Sequence, residues 1–217
     1  MMHMNKAVLI SIRPEWCEKI ASGQKTIEVR KTRPKIETPF RCYIYCTKPK
    51  IYNSVSSLYL DELYRLPSGE IKFGSSVELS IFPGQWNKDN FLNGKIIGEF
   101  VCDKLIRAER GEYVKIPINE TAIDVYDFLD YAEDKTIYGW HISDLVIYDK
   151  PKELGEFSKY SGFVKDKRHC KSCDAYMFDY CENMMVCGYD FDGADCPKIK
   201  LTRPPQNWCY VEELDGI

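Results

Sequence analysis

No stretch of this sequence is apolar over anything near the ~20 residues a helix needs to cross a bilayer, so a membrane-spanning protein is not expected. The opening residues, MMHMNKAVLISIRPEW, carry too short an apolar core for a secretory signal and pass straight into an ordered pattern. A soluble cytoplasmic chain with no membrane partner is the resulting expectation. There is no glycine-rich phosphate loop and no G-x-S-x-G elbow, so neither a P-loop nucleotide site nor an α/β-hydrolase nucleophile is expected. Repeats, coiled-coil heptads and low-complexity tracts are absent too. A strong charge of one sign is also missing. The formal net charge is −3, which argues against broad, sequence-blind affinity for nucleic acid.

What is present is a 217-residue chain, the size of one domain with insertions and long enough to bury a sizeable core. Strand-like segments are dispersed from end to end. That distribution suits an α+β fold with a mixed β-barrel better than a doubly wound sheet, which would alternate strands regularly with longer helices. Charge is unevenly placed: residues 6–50 hold eleven Lys and Arg against four Asp and Glu. Such asymmetry can form an anion-binding surface on an otherwise acidic protein. A solvated basic strand edge, protected from aggregation by its lysines, would look the same.

Residues 11–33, SIRPEWCEKIASGQKTIEVRKTR, organise the rest. Pro14 suits the first turn of a helix, where its missing N–H is no loss. Trp16, Cys17, Ile20 and Ala21 give that helix one apolar face. Gly23 stands where a left-handed C-terminal cap is wanted. Beyond it the residues alternate, with Ile27 and Val29 on one side of a strand and Glu28 and Arg30 on the other. Lys25, in the turn, can lean toward the polar side. One carboxylate and two or three cations therefore converge beside a helix end. A plain salt bridge is the competing explanation for the trio.

Gly23, Lys25, Glu28 and Arg30 fit G-x-K-x-x-E-x-R, and in this respect the chain resembles ASCH domains, a branch of the PUA-like superfamily. The context agrees: a strand at 7–12, a helix, then the motif running into a second strand. The resemblance implies a small mixed β-barrel of PUA-like type with flanking helices. It also implies a cleft lined by the motif and an association with RNA, nucleosides or modified bases.

Further along, residues 41–47 (RCYIYCT) alternate as a strand. Residues 57–66 (SLYLDELYRL) read as a helix of two to three turns, stopped by Pro67, Ser68 and Gly69. Residues 77–81 read as a short strand and Pro83-Gly84 as a turn. Much of 51–93 is more than a compact barrel needs and reads as an insertion. Residues 95–106 form a strand introduced by the Asn93-Gly94 turn, with Gly98 marking a bulge or a close backbone approach. Residues 124–133 are helical, 140–148 are a strand, and 207–214 close the fold as another strand. The barrel thus takes 5–165 plus 200–217, and 166–199 is a separate Cys-rich insertion.

Five of the ten cysteines, Cys170, Cys173, Cys181, Cys187 and Cys196, lie in that insertion. Cys170-x-x-Cys173 has the spacing of structural zinc sites, which need four ligands. Cys170, Cys173, Cys187 and Cys196 are taken as the set, with Cys181 the alternate and His169 a further candidate. A metal would supply folding energy to a loop with little core of its own. Disulfides and plainly packed thiols are the alternatives. No organic cofactor is expected. Cys17, Cys42, Cys46, Cys102 and Cys209 sit on strand or helix patterns and read as core. His141 reads as a structural residue.

Three functions fit these residues. The first is a binding module: Lys25 and Arg30 meet phosphate or carbonyl oxygens, Glu28 accepts from a base amino group or holds Arg30, and Trp140 stacks on a base. The second is an enzyme. Some ASCH relatives are N4-acylcytidine amidohydrolases using a Lys, a Thr and a Glu, and others are ribonucleases. Lys25 matches that lysine, Glu28 stands in the threonine position, and Glu133 is the nearest analogue of the glutamate. The third is a protein-interaction module with an unknown partner.

Overall fold

The computed structural model describes residues 6–48, 51–54, 57–66, 68–75, 91–159 and 200–214. Among these, eleven strands form three sheets. The five-stranded sheet has the order β10 (Ser143–Lys152), β7 (Ile96–Cys102), β3 (Phe40–Cys46), β1 (Lys6–Ile12), β11 (Trp208–Glu212). A second sheet runs β2 (Ile27–Arg30), β9 (Ile137–His141), β8 (Leu105–Ala108). The third is β4 (Ile51–Ser54), β5 (Ser57–Arg65), β6 (Ile71–Ser75). Two α-helices occur among the described residues, α1 (Pro14–Ala21) and α2 (Val125–Ala132). The fold is mixed α+β and mostly strand. The strand pairings leave each sheet open among the described residues, where a closed small barrel was expected.

The five-stranded sheet divides two apolar cores. Val8, Ile10 and Ile12 of β1 share one with Cys42, Ile44 and Cys46 of β3. Ala7, Leu9, Tyr43 and Tyr45 point into the other. This is the period of two expected of strands buried on both faces. On β7 the alternation breaks, because Ile97 and Phe100, three residues apart, both join the first core while Ile96 joins the second. The pairing of β7 with β3 slips between Ile44 and Tyr45, so a bulge moves one residue across the sheet. Gly98 is a close backbone approach: a Cβ there would lie 2.3 Å from the Val146 carbonyl oxygen. A third, smaller core joins Ile27, Val29 and Ile137 of the second sheet to Phe128 and Ala132 of α2.

Residues 57–66 are not helical. They pair as β5 with both β4 and β6, and Leu63 is buried in the first core. Tertiary pairing has overridden a segment whose leucine spacing suits either structure. The single strands expected over 95–106 and 140–148 are each two strands. The chain leaves the five-stranded sheet after Cys102 and enters the second sheet at Leu105; it returns between His141 and Ser143. Continuous hydrophobic patterning cannot reveal a change of sheet. His141 acts at this crossing, with its Nδ1 2.6 Å from Asp103 Oδ1 and its backbone N–H donating to the Lys104 carbonyl. Residues 77–81, Pro83-Gly84 and the 166–199 segment, with His169, Cys170, Cys173, Cys181, Cys187 and Cys196, lie outside the described residues.

Candidate functional site

Helix α1 starts with Pro14 at its first position and ends at Ser22, whose N–H donates to Glu18. Gly23 follows at φ +75°, the left-handed conformation that lets the chain reverse, and its N–H donates to Ile20. The reversal delivers Lys25, whose backbone N–H closes on the Lys19 carbonyl at 2.9 Å. From there the Lys25 side chain runs inward. Its ammonium donates to the Thr121 carbonyl at 2.7 Å, lies 3.3 Å from Glu28 Oε2 and sits 5.3 Å from the centre of the Trp16 ring. An oxygen, a carboxylate and a π face thus surround its three N–H donors.

β2 alternates as its sequence demands. Ile27 and Val29 face the third core and Glu28 and Arg30 face the opposite way. Glu28 Oε1 lies 2.8 Å from Arg30 Nε, an ion pair by distance that is too bent for a hydrogen bond. The other two guanidinium nitrogens donate well: Nη1 to Asn207 Oδ1 at 2.6 Å and Nη2 to the Ser11 carbonyl at 2.7 Å. Asn207 in turn donates to Thr32 Oγ1, which also accepts from the Trp208 indole. Arg30 therefore ties β2 to β1 and to the start of β11.

The row is deeply set. Side-chain exposure is 2% for Lys25, 8% for Glu28 and 13% for Arg30. Attraction across 3.3 Å is worth on the order of 5 kcal/mol at an effective dielectric near 20. Desolvating each ion costs several kcal/mol, so the row is close to break-even as a stabilising device. Burial pulls the Lys25 ammonium below its ordinary value of 10.5, with Glu28 partly offsetting it. Two cations share one carboxylate, so the row keeps a positive excess.

Lys25, Glu28 and Arg30 line a cleft of about 850 Å³. Trp16 and Pro14 of α1 form one wall, Ile123, Asp127 and Tyr131 another, and Phe73 and Gln206 also reach it. The structure brings the three charged motif residues together, while Gly23 acts through the backbone and does not line the cleft. Trp140 does not line it either. It stands opposite Glu28 across the β2–β9 pair but is fully buried, edge-on to Phe40, so it presents no face for a ligand to stack on. Its indole N–H has no acceptor among the described residues. The aromatic residues that do reach the cleft are Trp16, Phe73 and Tyr131. Glu133 lies outside the cleft, about half exposed and paired with Lys31 at 3.0 Å and Lys135 at 2.7 Å. Those lysines hold its carboxyl down at about 2. Cys17, Cys42, Cys46 and Cys102 are buried and Cys209 is half-buried. Among the described residues, no group of three or more His, Cys, Asp or Glu is placed to hold a metal.

Thr121, Ser11 and Asn207 complete the row and were not singled out from sequence. Two of their contacts are far apart along the chain, and their signal is confined to tertiary structure. Trp16 was read only as part of an apolar helix face.

The solved structures to which the chain is similar include ASCH proteins. That of Zymomonas mobilis shares 17% identity over 68% of this chain and 73% of its own, with a TM-score of 0.44. Its tyrosine-to-phenylalanine variant has the same identity and TM-score, over 68% of this chain and 76% of its own. Its serine-to-alanine variant covers 97% of this chain and 91% of its own, at 15% identity and a TM-score of 0.49. No family model matches the chain, and no curated protein does.

Proposed function

We propose that the chain is an ASCH-like module whose cleft binds an RNA base, a nucleoside or a modified base. The observation that supports this is the buried Lys25–Glu28–Arg30 row, with its positive excess, in a cleft that also exposes part of the Trp16 ring. At about 850 Å³ the cleft is of a size suited to a small ligand. Trp16 would stack on the base, a contact worth ~1–3 kcal/mol, while the row sets the sign of the field the ligand meets. Amidohydrolase or ribonuclease chemistry needs a carboxylate free to take a proton. Glu28 has a cation on each oxygen and Glu133 is outside the cleft, which favours binding.

Titration at low salt with nucleosides, N4-acetylcytidine and short single-stranded RNA tests this reading. Wild type should bind at least one of them, and Trp16→Ala should weaken binding by roughly 5- to 150-fold without loss of far-UV circular dichroism. Absence of binding to every one of these ligands sinks the reading. On this reading the five-stranded sheet and the β2–β9–β8 sheet would be two walls of a PUA-like barrel, with 51–93 and 166–199 as insertions. We propose further that 166–199 holds one structural zinc through Cys170, Cys173, Cys187 and Cys196, with Cys181 as alternate. Protein purified without added metal should carry about one zinc per chain by elemental analysis; a metal-free, folded and monodisperse protein rules this out.

A further inference from the structure

Six large hydrophobic side chains are exposed among the described residues, and five of them, Val114, Val125, Tyr126, Leu129 and Tyr131, belong to α2 and the turn beside it. Scattered single apolar residues on a surface need no explanation, but a cluster does. Helix α2 has three faces. Phe128 and Ala132 are buried in the third core, and Asp127 and Tyr131 line the cleft. Val125, Tyr126 and Leu129, at i, i+1 and i+4, form a strip that turns outward, and Tyr126 is 82% exposed. Val114, 91% exposed, follows Tyr113, whose ring packs edge-on against Phe128 on the buried face of the helix at 6.1 Å.

The charges around the strip are one-sided. The neighbouring cations are engaged, Lys31 and Lys135 with Glu133, Arg110 with Asp134 and Lys115 with Glu112. The carboxylates of Asp127 and Asp130 have no ion pair or hydrogen bond among the described residues. Asp130 is one turn beyond Tyr126 and so lies along the border of the strip. Uncovered apolar side chains beside uncompensated carboxylates specify the chemistry of what covers them. A nucleic-acid backbone is repelled by the carboxylates. A second copy joined through the same face would set those carboxylates against each other.

We propose that the outward face of α2 is a docking surface for a basic, amphipathic segment of another protein. Apolar side chains of the partner would cover Val125, Tyr126 and Leu129, and its Lys or Arg residues would meet Asp130. The site is separate from the cleft and does not depend on the ligand bound there.

The test uses the full chain and two labelled helical peptides of one pattern, one of leucine and lysine, the other of leucine and glutamate. By fluorescence anisotropy the lysine peptide should bind and the glutamate peptide should not. Tyr126→Ser combined with Leu129→Ser should weaken binding by about tenfold or more. Asp130→Lys should weaken it by about threefold or more, with a shallower salt dependence. All these residues are exposed, and unchanged circular dichroism confirms that the variants are folded. Equal binding of both peptides, or wild-type binding by the double variant, overturns the proposal. So does sedimentation equilibrium showing a wild-type dimer that the double variant lacks, which would assign the strip to a second copy.

Discussion

In the floor of the cleft three ionic side chains are withdrawn from water and each has partners, whereas on the outward face of α2 apolar side chains stand in water beside carboxylates that have none among the described residues. The two regions are only a helix width apart, since α2 supplies Asp127 and Tyr131 to the cleft and Val125, Tyr126 and Leu129 to the outside. Burial of the Lys25–Glu28–Arg30 row is tolerated because Thr121, Ser11 and Asn207 absorb the donors that the carboxylate leaves over. Nothing comparable compensates the α2 strip within the described residues. The row is therefore satisfied within the fold, and the strip is left uncovered among the described residues.

The contrast can be broken most forcefully at Glu28. Glu28→Gln leaves two buried cations without a counter-charge and should destabilise the protein by about 3–5 kcal/mol, seen as a lower urea midpoint. A loss under about 1 kcal/mol would mean that the row behaves as a hydrated rim pair. A smaller effect sharpens the same point through pH. Burial lowers the Lys25 ammonium below 10.5, so between that lowered value and 10.5 the unfolded chain holds a proton that the folded chain has released. The contribution of Lys25 to stability consequently rises with pH through that window. In Lys25→Met this rise should be missing when urea midpoints of the two proteins are followed up to pH 10.5; parallel curves would show that Lys25 is not desolvated. The least effect belongs to α2. Tyr126→Ser with Leu129→Ser should alter stability by less than about 1 kcal/mol, most of it helix propensity. A larger loss would place those side chains in a packed environment.

Local sequence was a good guide where a short-range rule decides the outcome. Pro14, Gly23 and the alternation from Ile27 to Arg30 are such cases, and each acts within its own turn or strand. The lean of Lys25 toward Glu28 on the polar side of that strand also followed from its place in the turn. What sequence could not convey was depth. The same residues that would make an exposed rim bridge are buried because the loop at Thr121 and the strand beginning at Trp208 pack over them. Depth likewise separates Trp140 from Trp16: both are tryptophans near the motif, yet β9 carries the first into the core and α1 leaves the second at the cleft. Residues 57–66 became a strand because β4 and β6 flank them, a fact outside the segment itself.

Arg30 has a consequence for how the molecule is assembled in time. Its guanidinium joins Ser11, 19 residues away, to Asn207, 177 residues away. β1 is likewise paired with β3 on one side and with β11 on the other. As the chain emerges from the ribosome, β1, α1, β2 and β3 are complete early, yet one edge of β1 stays open until β11 has been made. Through that interval Arg30 lacks its Asn207 acceptor. Pairings of such long sequence separation form slowly, so the cleft is among the last parts of the molecule to acquire its final geometry. A nascent chain halted before residue 207 would present a bare strand edge next to an unfinished charge row, a template for wrong pairing.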